Sequence, residues 1–169
     1  MPSGERHLKL EMILLPAFVG GYYYLDPTVN HLIAFGAAYL ASSLLLTPDL
    51  DLRHNDTRKR WGLLGFIWIP YSKVFKHRGL SHNLFFGMLT RIGYLSLLIG
   101  LGFAGAYYAG VNIPQVQQWQ PNWPLIGAGV LGLYIPNILH ALYDKWDTSR
   151  KMKRNRKLRT QTGNIQTAR

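Results

Sequence analysis

From Ile92 to Tyr143 the chain carries no Lys, Arg, Asp or Glu, and His140, near the end of the stretch, is its one imidazole. This silence constrains the fold more than any other feature, because charged side chains normally cover the surface of a soluble domain at much closer intervals. Within it, Ile92 to Val111 is an almost continuous apolar run and Pro124 to Leu139 a shorter one. A bilayer-crossing helix needs about 20 such residues, with about 17 to 25 tolerated. The segment between them, Asn112 to Asn122, is polar but uncharged, with Pro114, Pro121 and four glutamines, as a turn between antiparallel helices would be. Trp119 and Trp123 then fall where aromatic rings favour the water interface. The expectation is a transmembrane hairpin.

The N-terminal half repeats the arrangement with shorter runs, Met12 to Leu25 and Leu32 to Leu46, separated by Asp26-Pro27-Thr28-Val29-Asn30. No small-residue cleavage site follows the first run, so it reads as retained rather than as a leader. The expected fold is all-α: a four-helix integral membrane bundle with an interfacial element at about 61–71, ending Trp68-Ile69-Pro70-Tyr71, that lies along the headgroups or lids the bundle. One membrane domain spans 1–147, followed by a polybasic tail, 148–169, expected to lack structure. A mean hydropathy of −0.01 for the whole chain keeps a soluble helical bundle with unusually apolar helices as the alternative. Orientation is an independent check. The net charge is +11, and on a four-span reading all 19 basic residues fall on one side, except that Arg91 sits about two turns inside the third span. Short basic loops stay in the cytoplasm, which predicts a multi-pass protein of the cell inner membrane with both termini cytoplasmic.

On that topology His7, Asp49, Asp51, His77, His82, His140 and Asp144 all lie at the cytoplasmic helix ends, where ends from different helices can converge on one metal site. The absence of cysteine restricts any ion to nitrogen and oxygen donors. His140 and Asp144 are four apart on a helix, so their side chains project from one face about 5 to 6 Å apart. Pro136, one turn earlier, removes a helical hydrogen bond and can tilt the last turn. His77-Arg78-Gly79-Leu80-Ser81-His82 brings two histidines together across a glycine, with Ser81 as an N-cap for the third helix. Pro48-Asp49-Leu50-Asp51 presents two carboxylates on one side if the segment is extended. His7 with Glu11 has the same four-residue spacing, but so near the N-terminus it carries less weight. His31, at the opposite face, and His54, in a charge run, read as solvated bystanders. Arg91 either snorkels to the surface or turns inward and grips a phosphate oxygen.

These motifs, with Pro2-Ser3-Gly4 before His7, Arg60-Trp61-Gly62 and Trp68-Ile69-Pro70-Tyr71, resemble a family of bacterial and archaeal membrane proteins described as metal-binding. The likeness runs to about residue 147. More distantly the chain is similar to inner-membrane proteins regarded as metal-dependent hydrolases of the zinc-dependent phospholipase C and P1 nuclease type. The resemblance implies metal ligands at His7, Asp49, Asp51, His77, His82, His140 and Asp144, and a phosphoester substrate.

The leading expectation is therefore a membrane-embedded metal-dependent phosphoester hydrolase. In it Asp49 or Asp51 positions the attacking water, and Arg78 or Arg91 stabilises charge on the phosphate. The cofactor would be a divalent metal, zinc by default, with manganese or iron compatible with the same donors. Membrane lipid is the expected partner, and its anionic phosphoester headgroup a candidate substrate. Two competitors stand beside this reading. One is a non-catalytic membrane protein whose ion ties helix ends together. The other is a membrane module whose basic tail, Arg150 to Arg159, binds anionic lipid or, less in keeping with the topology, nucleic acid.

Overall fold

The computed structural model describes residues 4–52, 55–75, 83, 86–111 and 120–167, and every regular element among them is helical. The elements are α1 (Gly4–Leu25), α2 (Val29–Leu45), a 3-10 turn at Pro48–Asp51, α3 (Asp56–Arg60), a second 3-10 stretch at Gly62–Ile67, α4 (Trp68–Val74), α5 (Phe86–Tyr108) and α6 (Trp123–Thr167). Six α-helices are present among the described residues rather than the four expected, because the segment after α2 folds into short helices of its own. Three helical segments, Val29–Asp51, Phe86–Tyr108 and Trp123–Arg156, are long and apolar enough to cross a membrane. The first helix is not one of them, since Glu5, Arg6, Lys9 and Glu11 occupy its first half.

The α1–α2 turn has a local cause. Pro27 disfavours helical geometry at the residue before it, which stops α1. The Asp26 carboxylate then accepts from the Thr28 N–H at 3.0 Å and lies 2.6 Å from the His31 Nδ1. His31 is thus a turn-closing residue and not the solvated bystander its position suggested. Side-chain hydrogen bonds from Thr28 and His31 hold the Asp26 carboxyl down at about 2.

The resulting antiparallel pair buries Phe35 and Tyr39 of α2 against Met12, Leu15, Phe18 and Tyr22 of α1 and against Ala128, Ile135 and Leu139 of α6. Tyr22 stacks on Phe35 with centroids 4.6 Å apart, and the Tyr39 hydroxyl donates to the Glu11 carbonyl at 2.8 Å. The most extensive helix pair is α2 with α6. Their backbones come so close that a Cβ on Gly132 would sit 2.3 Å from the Phe35 carbonyl oxygen. Ser42 fastens the same seam by donating to the Leu133 carbonyl at 2.7 Å. Matching positions rise together along both chains, so α2 and α6 run parallel and their C-terminal portions reach the same end of the molecule.

At that end a second core forms from Leu50, Trp68 and Tyr71, with Trp61, Tyr94 and Leu95 against it. The 61–71 element is therefore folded onto the bundle through Trp68 and Tyr71, while Leu63 and Phe66 on its outer side are exposed. Burial raises the Tyr71 phenol above its usual range, partly opposed by hydrogen bonds from Thr90 and Arg91. Asn83 accepts from the Phe86 N–H at 3.2 Å and caps α5, a role expected of Ser81, which lies outside the described residues. Exposed Leu97, Ile99, Leu101 and Phe103 leave α5 with apolar surface on more than one side that the described residues do not cover. Helix α6 continues to Thr167, so the tail, expected to lack structure, is helical over its described length. Pro136 is accommodated inside α6 without ending it.

Candidate metal centre

Four long-range partners meet where α1, the Pro48–Asp51 turn and α6 converge. His7 comes from the second turn of α1 and His140 and Asp144 from successive turns of α6. Asp49 is delivered by the turn that follows α2. The His7 Nε2 lies 3.2 Å from the Asp144 Oδ1. The His140 Nε2 lies 3.7 Å from the Asp49 Oδ1 and 3.9 Å from the Asp144 Oδ2. On its other side the His140 Nδ1 faces the Glu11 Oε1 at 3.5 Å. The two imidazoles stack with centroids 3.9 Å apart and planes 15° apart, and Tyr143 meets the edge of His7. Donor atoms of His7, His140 and Asp144 all lie within 4.8 Å of one another.

This arrangement fits a cation. Two donors bound at about 2.1 Å to a tetrahedral ion stand about 3.4 Å apart, close to the separations seen here. Two stacked imidazoles beside three carboxylates are otherwise an unbalanced charge group to bury. Among the described residues the His7 Nδ1 and the Glu11 Oε2 are buried without a hydrogen-bond partner. Oxygen and imidazole nitrogen together suit zinc, manganese or iron, and the geometry does not choose among them.

The cluster forms one wall of a cavity of about 280 Å³, also lined by Gly4, Ser43, Thr47, Asn55, Lys59 and Arg60. Its rim is stiffened by the Thr47–Thr57 hydroxyl pair at 2.7 Å and by Asn55, which donates to the carbonyls of Asp49 and Leu52. Arg60 donates to the Leu44 carbonyl at 3.2 Å, and Lys59 pairs with Asp56 at 3.0 Å.

Of the residues singled out in the sequence, His7, Asp49, His140 and Asp144 are brought together. Asp51 is not. The two aspartates were expected on one side of an extended segment, but a 3-10 turn has about three residues per turn, so positions two apart point in different directions. Asp49 faces His140, while Asp51 is buried, does not line the cavity and, like Arg91, acts on the Tyr71 phenol. Arg91 is fully buried and does not line the cavity. It does not snorkel: Nε donates to the Gly87 carbonyl at 2.8 Å, Nη1 to the Leu46 carbonyl and Nη2 to the Asn137 Oδ1 at 2.5 Å. His77, Arg78, His82 and His54 lie outside the described residues. The sequence reading undervalued Glu11, whose four-residue spacing from His7 was the available signal. It also missed Lys59 and Arg60, which looked like part of a solvated charge run.

Comparison with known proteins adds the following. Residues 2–154 match the family described as "Uncharacterized metal-binding protein (DUF2227)". A curated protein of Aquifex aeolicus (strain VF5), described as an uncharacterized protein, is 39% identical over 66 residues. That match covers 39% of this chain and 47% of the relative, so the alignment spans about half of the other protein. No solved structure matches the chain.

Proposed function

The chain belongs to this family of metal-binding proteins, and from that premise we propose that it is a membrane-embedded, metal-dependent hydrolase of a phosphoester such as a lipid headgroup. The observation that carries the reading is the convergence of His7, Asp49, His140 and Asp144 in a cavity also lined by Lys59 and Arg60. His7, His140 and Asp144 would hold the ion with Asp49 beside them, and zinc is the default identity. A bound divalent ion supplies Lewis-acid activation of water and positive charge facing a phosphoryl oxygen. Glu11 faces the Nδ1 of His140, which keeps the Nε2 lone pair directed at the cluster. The Asp49 carboxylate faces the cavity and orients the attacking water. Lys59 and Arg60 meet the phosphate charge, a part the sequence offered to Arg78 and Arg91; Arg78 remains a candidate.

The protein would sit in the inner membrane, with both termini cytoplasmic and α1 as a fourth, shallow crossing alongside α2. The one-sided distribution of Lys and Arg supports that orientation. A second reading, an ion that only ties α1 to α6, draws support from the depth at which His7 and His140 are buried.

Elemental analysis of detergent-purified protein tests the first step. Wild type should carry metal that a folded His140→Ala variant loses; no metal in either, after incubation with zinc or manganese, sinks both readings. Hydrolysis of an aryl phosphodiester separates the rest. Turnover that falls in Asp49→Asn and Arg60→Gln supports the hydrolase. Metal without turnover, together with a lower Tm after chelation, supports the structural ion instead.

A further inference from the structure

Beyond the cluster, α6 and Arg6 of α1 border an open cleft of about 560 Å³, lined by Arg6, Asp147, Arg150, Lys151, Lys153 and Arg154. Five cations stand against one carboxylate. Asp147 is engaged by Lys151 at 2.8 Å, and Arg150 lies over the Trp146 ring at 4.4 Å. Arg6, Lys153 and Arg154 form no ion pair among the described residues. Cations held side by side without counter-charge mark an anion site.

Depth selects the anion. Starting from Trp123, about 20 residues of helix cross about 30 Å of hydrocarbon and bring α6 to Tyr143 and Trp146. Those two rings lie 5.6 Å apart, as an interfacial aromatic pair. Arg150 is one turn further, about 6 Å, and so lies in the headgroup layer. Leu142, Trp146, Arg150 and Arg154 follow one another at four-residue steps along α6, and all four are exposed. Apolar surface below and cationic surface above is the profile that an anionic lipid molecule presents in reverse. His140, Asp144, Asp147, Lys151 and Arg154, at alternating steps of four and three, form a second stripe that meets the first at Arg154 and runs from the cleft to the candidate metal cluster.

We propose that this cleft binds the phosphate of an anionic lipid headgroup and holds that lipid beside the metal cluster. The inference rests on the membrane reading above but requires neither metal nor hydrolysis.

Native mass spectrometry of the full chain in detergent, titrated with phosphatidic acid or with phosphatidylcholine, tests it. Wild type should prefer phosphatidic acid, and each cation removed should weaken that preference about fivefold. An Arg150→Gln, Arg154→Gln double variant should therefore lose about 25-fold, Arg6→Gln about fivefold and Lys73→Gln, outside the cleft, nothing. Equal losses in the double variant and in Lys73→Gln overturn the proposal, as does full displacement of the lipid by inorganic phosphate. The His140→Ala variant should keep its preference, which holds the cleft separate from the fate of the hydrolase reading.

Discussion

Replacing Arg91 with methionine removes a guanidinium, all three nitrogens of which donate hydrogen bonds, from a fully buried position without shortening the side chain much. The Leu46 carbonyl and the Asn137 Oδ1 lose the donors that face them, at about 1–3 kcal/mol each. The Gly87 carbonyl is cushioned by its own helix. Against that loss, a methionine has no charge to desolvate, and replacing a whole buried ion pair with apolar groups is often neutral. Asp51 weighs in the balance. It is buried, and it and Arg91 act on the same Tyr71 phenol, so the two charges stand close enough to couple. The two acceptors left without a donor set the loss expected for Arg91→Met at about 2–6 kcal/mol. Adding Asp51→Leu should then cost less in that background than in wild type. Reversible unfolding in detergent, followed by helical circular dichroism for the two single variants and the double variant, gives the cycle. A single-variant loss under about 0.5 kcal/mol, or a double variant equal to the sum of the singles, refutes the reasoning.

Three further outcomes are expected. Glu11→Gln keeps the side-chain shape but weakens the carboxylate that orients His140, and should lower metal affinity about 10–100-fold in a competition titration with a chelating dye. Gly132→Ala drives a methyl group into the Phe35 carbonyl; the overpacking cost of about 1–3 kcal/mol should exceed the roughly 1 kcal/mol that alanine gains in a helix, and appear as a lower Tm. Asp26 is held at about 2, below its ordinary 3.8, so its contribution is fully present above about pH 4 and fades as pH falls through about 2. Asp26→Asn should flatten the acid limb of the stability profile over that interval, and an unchanged acid limb would count against the turn-closing role.

Much of the fold was legible because the charge-free stretch and the apolar runs dictate helices, and helices leave their period in the sequence. The candidate ligands on helices were legible for the same reason: four-residue spacing puts His140 and Asp144 on one face whatever the surroundings. Asp49 and Asp51 were harder. Their directions depend on whether the segment is extended or wound, and Pro48 permits either, so only the packing of Leu50 against Trp68 and Tyr71 decides. Glu11 was visible as a spacing, yet its weight depended on whether α1 docks on α6, a long-range event with no local signature. Arg91 offered two local readings, and burial removes the snorkelling one; its acceptors, Leu46 and Asn137, lie about 45 residues away on either side in sequence. The helical continuation of α6 into its basic tail was likewise masked by composition.

The stacking of His7 on His140 also bears on how such a protein is made. These rings are separated by roughly 130 residues of chain, so neither half of the centre exists alone during synthesis. Until α6 emerges and docks, Glu11 and His7 belong to a helix that packs on α2 but lacks its second partner. On the proposed reading, ion capture therefore waits until α6 has docked, and a loaded centre certifies that α1 and α6 have found each other.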